Sequence, residues 1–178
     1  AVMLAEDLKA LNDSRKEMTE KGVEQAVEQI ENTSLKEDKV LVVYLPECHE
    51  SIAGIIAGRI KERYYRPTFV LTQGEEGVKG SGRSIESYNM FEEMCRCRAL
   101  FTKFGGHKLA AGLSLEEENV DRFRETINEL AALSEEDLLP KVSIDMQLPL
   151  AYVTESLVSE LELLEPFGKG NTKPLFAE

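Results

Sequence analysis

Apolar residues Leu4, Leu8, Leu11 and Met18, with Arg15 between the last two, step by four and three, which places them on one helical stripe. Val23, Ala26 and Ile30 resume an apolar face beyond Gly22, a residue placed to weaken or bend the helix. The pattern predicts a helix over residues 1–31, ended by Asn32-Thr33-Ser34, with the stripe as its packing face. Residues 40–45 form a short continuous apolar run rich in β-branched side chains, the signature of a strand covered on both faces. Pro46 closes it. In the helix that follows, Ile52, Ile56 and Ile60 share a face, and Ala53, Gly54, Ala57 and Gly58 permit close approach to a sheet. Each interior glycine costs about 1 kcal/mol relative to alanine, so that proximity must return something.

Residues 67–72 read as a second strand, 74–77 as a turn and 78–85 as the returning strand. Met90, Met94, Cys97 and Phe101 are spaced as a packing stripe over a helix at 90–100, and 110–115 leads back into a strand. Ser114 and Glu117 have capping-box spacing ahead of the amphipathic series Val120, Phe123, Ile127 and Leu130. Val142, Ile144, Met146 and Leu148 alternate with polar residues, as in a half-exposed strand. Leu150, Val153, Leu157, Leu161 and Leu164 give a further helix, and a turn-rich exit at 164–171 precedes an incipient strand at Pro174. The expected fold class is α/β: one mixed sheet flanked by helices, with a long N-terminal helix and a C-terminal helix leading into a truncated next domain.

Composition changes this picture little: 178 residues, 42% hydrophobic and 30% charged, suit an ordinary globular chain. No apolar run approaches the roughly 18 residues of a membrane span, and the N-terminus lacks the pattern of a signal peptide. Three cysteines, Cys48, Cys95 and Cys97, cannot all pair internally and lack zinc-site spacing, which points to reduced thiols in a cytoplasmic protein. Charge is more informative. The net charge of −12 argues against a broad DNA-coating surface. Between Arg59 and Lys108, however, ten basic residues face six acidic ones. A local cationic cleft on an acidic body is the expectation.

That segment holds two glycine-rich stretches. In the first, Gly80, Ser81, Gly82 and Ser84 surround Arg83, pairing backbone donors with a planar guanidinium fork suited to a phosphodiester oxygen. In the second, Gly105 and Gly106 leave the backbone open to close approach, and His107 and Lys108 follow as donors for an anion. Ala110, Ala111 and Gly112 read as tight packing behind it. His49 sits at a strand-to-helix junction, where α/β folds place ligands. The plain alternative is a pair of ordinary glycine turns between strands.

The succession of residues 49–57, Gly80-Ser81-Gly82-Arg83-Ser84 and Phe104-Gly105-Gly106-His107, with Ala110-Ala111-Gly112, resembles the substrate-binding domain of the DHH phosphoesterase superfamily. Within it, the two-glycine run before His107 and the tail Leu164-Glu165-Pro166-Phe167-Gly168-Lys169-Gly170-Asn171 are most similar to the bacterial RecJ family of single-stranded-DNA exonucleases. Ser51, Cys48 and Thr172 depart from the family pattern outside both glycine stretches. The resemblance implies a layout: residues 1–35 as a helix connecting from a missing DHH domain, 36–140 as the substrate-binding domain, and 141–178 leading toward an OB-fold. It implies single-stranded DNA and the missing DHH domain as partners. It also implies Mn²⁺ or Mg²⁺ in that missing domain with no cofactor in this fragment, which has no Asp-His-His run and two histidines in all. On the same basis His107 is the candidate catalytic residue. Arg83, Ser81, Gly82, Ser84, Gly105, Gly106, Lys108 and His49 are candidates for binding the phosphate backbone. The fragment alone is expected to be inactive. The rival readings are an oligoribonuclease or cyclic-dinucleotide phosphodiesterase of the same superfamily, and a non-catalytic nucleic-acid-binding module.

Overall fold

The structure, a computed structural model, describes residues 2–178; Ala1, where the sequence pattern starts the expected helix, lies outside them. Helix α1 (Val2–Glu31) precedes β1 (Leu41–Tyr44), α2 (Glu50–Tyr64), β2 (Thr68–Gln73) and β3 (Val78–Arg83). Then come α3 (Met90–Arg96), β4 (Lys103–His107), β5 (Ala110–Leu115) and α4 (Val120–Leu130). The five strands form one sheet in the order β1-β2-β3-β5-β4, with β1 and β2 parallel and every other pair antiparallel. This is the α/β class and mixed sheet that the periodicities call for.

The continuous apolar run at β1 has the expected cause: both faces are covered. Leu41, Val43 and, on β2, Val70 pack under α2 through Ile52, Ala53, Ile56 and Ile60, with Ala26 and Ile30 of α1 behind them. Val42, Phe69 and Leu71 face the other way, into a second core closed by Met90 and Met94 of α3 and Phe123 and Ile127 of α4. The outer edge of β1 is capped by Asn128 of α4. Its Oδ1 accepts from the Val40 N–H at 2.9 Å, and its Nδ2 donates to the Val40 carbonyl at 2.9 Å. Bonding both backbone groups of Val40 with one amide blocks the start of that edge against pairing with another strand.

Three expectations are revised. The stripe of Leu4, Leu8 and Leu11 is 64–68% exposed and packs on nothing among the described residues. Helix α1 docks only from Thr19 onward, where Gly22 lets it approach α2 so closely that a Cβ there would lie 2.5 Å from Ile56 Cδ1. Gly22 is thus a packing glycine rather than a bend. Second, Ser114 caps no helix. It lies within β5, and α4 starts at Val120 after a turn of 3-10 helix over Glu117–Asn119. Third, of the strand expected at 142–148 only β6 (Met146–Gln147) pairs, parallel to β7 (Phe176–Ala177).

Packing divides the chain after Leu139. The second unit, Pro140–Glu178, contains β6, a helix α5 (Glu155–Glu162) and β7. Thr154 caps α5 by accepting from the Leu157 N–H. Asn171 closes the turn after α5 by donating to the carbonyls of Leu164 and Pro166.

Candidate nucleic-acid interface

Both glycine-rich stretches lie inside strands rather than loops, and strand register decides what each residue can do. Arg83 on β3 and His107 on β4 sit opposite the same residue, Ala110 of β5, from its two sides. Cross-strand partners project to one face, so Arg83 and His107 share it, two strand spacings or about 10 Å apart, with only a methyl group between them. Backbone bonds fix this arrangement. The Ser84 N–H donates to the Leu109 carbonyl at 2.9 Å and the Met90 N–H to the Lys108 carbonyl at 3.0 Å, pinning the β4–β5 turn against the chain leaving β3. The strand itself is anchored by Phe104, whose ring joins the series Phe104–Phe101–Phe123–Phe69 across the opposite core, at centroid separations of 5.1–5.2 Å.

Two further rows cross the same face. One consists of Ser81, Gly112 and Gly105, the next of Lys79, Ser114 and Lys103. Residues two apart along a strand are about 6.7 Å apart, so the outer rows lie roughly 13 Å from one another. The result is a trough with basic groups along both margins and a floor of one hydroxyl and two glycines. Helix α2 flanks it on the β3 side, leaving a depression of about 330 Å³ lined by Glu50, Ser51, Thr72, Lys79, Ser81 and Gly112 among others. The Thr72 hydroxyl, fully buried at the edge of that depression, has no hydrogen-bond partner among the described residues. At the trough's end Glu50 and Lys79 form a 2.6 Å ion pair. The ammonium holds the Glu50 carboxyl below its usual range, and the carboxylate raises Lys79 in return, so both are charged at neutral pH.

The sequence-derived site residues therefore sort by face. Arg83, Ser81, Gly105 and His107 are together on the trough. His107 Nδ1 accepts from the Leu109 N–H at 3.4 Å, which puts the proton of the neutral ring on Nε2, available as a donor. Lys108, on the turn, pairs with Glu86 at 3.1 Å. His49 is the N-cap of α2: its Nδ1 accepts from the Ser51 N–H at 3.2 Å and contacts Ser51 Oγ at 2.8 Å. It lines a neighbouring depression with Glu50 and Lys79. Gly82 and Ser84 are elsewhere. Gly82 faces the core, where a Cβ would meet Met90 Sδ and lie 2.7 Å from the Phe69 ring. Ser84 is buried with its hydroxyl donating to the Tyr88 carbonyl at 2.8 Å. Gly106 is needed for its backbone, at φ 155° with the Ala110 carbonyl where a Cβ would stand. Gly112, read from sequence as packing, is instead exposed on the floor.

Gly82→Ala is accordingly a stability variant. Forcing a methyl between Phe69 and Met90 costs about 2 kcal/mol. For a unit of this size that lowers the melting temperature by about 4–8 °C, measurable by calorimetry.

The sequence places Lys79 at the start of the first glycine-rich stretch without giving it a binding role, reads Gly112 as packing, and gives no role to Lys103 or Thr72. A period-2 signal was present for most of them. Lys79, Ser81 and Arg83 share one parity, as do Lys103, Gly105 and His107. Among the described residues no group of three or more His, Cys, Asp or Glu side chains could hold a metal ion. The donor set present does not fit a two-metal phosphoesterase centre, and no step through metal is derived from it.

Residues 37–133 match the DHHA1 domain family, and residues 144–178 match the RecJ OB domain. The chain belongs to the DHHA1 domain family. The single-stranded-DNA-specific exonuclease RecJ of Bacillus subtilis (strain 168) is 37% identical over 175 residues, covering 96% of this chain but 22% of that protein. RecJ of Escherichia coli (strain K12) is also 37% identical, over 99% of this chain and 32% of that protein. The crystal structure of RecJ from Thermus thermophilus in complex with Mg²⁺ superposes with a TM-score of 0.85 at 31% identity, over 98% of this chain and 27% of that one. The chain thus spans between a fifth and a third of the curated relatives it matches so closely. In this DHHA1 domain the trough is built entirely from β3, β5 and β4, with α2 as its wall.

Proposed function

We propose that this chain is the strand-gripping part of a RecJ-like 5′–3′ single-stranded-DNA exonuclease of DNA repair and recombination, working in the cytoplasm. On this reading a DHH domain outside these 178 residues carries the metal-dependent phosphodiester hydrolysis, and the chain alone is inactive. The observation that carries the proposal is the flanking of Ala110 by Arg83 and His107 on an open, basic-margined sheet face. The likeness to RecJ supplies the substrate class.

The chain's own residues bind and orient. Arg83 grips phosphate oxygens through its fork, with the Ser81 hydroxyl beside it donating to the same group. The backbone of the strand lies over Gly112 and Gly105, where no side chain holds it off. Nε2–H of His107 donates to a phosphate oxygen or to the leaving oxygen as charge develops there. His49 orders the first turn of α2 beside the trough, and Lys108 adds positive charge at its rim when phosphate competes with Glu86. Gly82 and Ser84 support β3 from the other face and take no part in contact.

The test is a salt titration of binding to a single-stranded oligonucleotide. About three basic groups on the trough predict a log–log slope of roughly −2 for a single strand. A slope indistinguishable from zero sinks the proposal. Turnover on dinucleotides with none on long single strands by the full-length protein would move the assignment to the short-substrate branch of the superfamily.

A further inference from the structure

We infer that Gly54 is a positioning residue for Arg83, an inference resting on the reading of Arg83 as a phosphate ligand. Interior glycine is costly in α2, and the neighbouring small residues Ala53 and Ala57 already supply the close approach to the sheet, both being buried. Gly54 is not buried with them. The three atoms nearest to a Cβ built at position 54 all belong to one guanidinium: Arg83 Nη2 at 2.8 Å, Cζ at 3.4 Å and Nη1 at 3.5 Å. The bare Cα of Gly54 is the surface on which the head group of Arg83 rests.

What else holds that head group is little. Nη1 donates to the Gly82 carbonyl at 2.8 Å, and among the described residues no carboxylate forms an ion pair with it. Steric support therefore substitutes for a salt bridge. An acidic partner would have fixed the guanidinium equally well, but it would have neutralised the charge and consumed the N–H groups that a phosphate needs. A glycine shelf orients the fork and leaves those donors free. A methyl group at position 54 does not threaten the fold, because the atoms it displaces are the far end of a flexible side chain. It swings the fork off the trough instead.

Gly58, four residues on, provides an internal control: a Cβ there meets nothing within 4 Å. Both Gly54→Ala and Gly58→Ala raise the helix propensity of α2 equally, so both should keep or raise the melting temperature. In the full-length protein, Gly54→Ala is expected to lower kcat/KM on single-stranded DNA at least tenfold, whereas Gly58→Ala leaves it unchanged. Adding Arg83→Ala to Gly54→Ala should cost no more than Arg83→Ala alone, since the first change has already removed what the second deletes. In NMR spectra of this chain, the Nε–Hε resonance that disappears in Arg83→Ala should shift in Gly54→Ala and stay in place in Gly58→Ala. Wild-type turnover by Gly54→Ala alongside an impaired Arg83→Ala, or an unmoved resonance, overturns the positioning role. Wild-type turnover by Arg83→Ala overturns the phosphate reading instead, and the resonance alone then decides whether Gly54 sets the fork.

Discussion

Arg83→Ala in the full-length protein is expected to weaken single-stranded-DNA binding by tenfold to a hundredfold while leaving the fold intact. The magnitude follows from what is lost. A hydrogen bond between charged groups is worth about 1.5–3 kcal/mol, and every 1.4 kcal/mol is a factor of ten in affinity. The small structural cost follows from what Arg83 does at home. Its bond within the chain is to the adjacent Gly82 carbonyl, so its removal strands no buried charge. Circular dichroism melts should therefore overlay within about 3 °C, given a loss of about 1 kcal/mol or less. Affinity is read by anisotropy of a labelled oligonucleotide at fixed salt, because the electrostatic contribution varies steeply with ionic strength. His107→Ala should differ in kind. If Nε2–H acts as bond breaking proceeds, kcat falls tenfold or more with KM little changed. Wild-type affinity in Arg83→Ala, or a melting temperature that collapses with it, would remove Arg83 from the interface.

Much of this was legible from the sequence because periodicity reports faces well. The buried run at 40–45 became β1, the isoleucine series became the packed face of α2, and the series Phe123, Ile127 became the packed face of α4. Periodicity does not report partners. Leu4, Leu8 and Leu11 form a true helical stripe, yet nothing among the described residues covers them. Ser114 and Glu117 matched the spacing of a capping box because local spacing carries no information about sheet pairing, which placed Ser114 between Lys79 and Lys103. The glycines were the least legible. Gly80 and Gly82 exist so that Leu71, Leu113, Phe69 and Met90 can pack, Gly106 for its backbone angle, and Gly54 for a guanidinium on another element. All are the same letter, and only the backbone angle and the neighbouring atoms at each position separate them. The convergence of Arg83 and His107 needed the β3–β5–β4 order, in which a strand later in the chain inserts between two earlier ones.

Gly112→Val should stabilise the domain and still abolish most of its grip on a single strand, a pairing of effects that a packing glycine cannot produce. A Cβ at Gly112 finds only the Gly80 carbonyl oxygen, at 3.9 Å, and one at Gly105, directly across the ladder, finds nothing. Neither has a φ that side chains avoid. Valine in a central strand is favoured over glycine by up to about 1 kcal/mol, so the melting temperature should rise by a few degrees. A facing pair of unforced glycines, Gly112 on β5 and Gly105 on the edge strand β4, is a stability loss of the kind that accompanies close approach by something else, and on the proposed function that visitor is the phosphodiester backbone. A branched side chain on the floor lifts a phosphodiester backbone out of the roughly 3 Å reach of Ser81 and Arg83. Affinity for a single-stranded oligonucleotide should fall tenfold or more. Impaired turnover with undiminished oligonucleotide binding would reassign the bare floor to the approach of another domain. Unchanged binding and turnover together would mean that no strand lies over Gly112, and would take the bare floor out of the proposed interface.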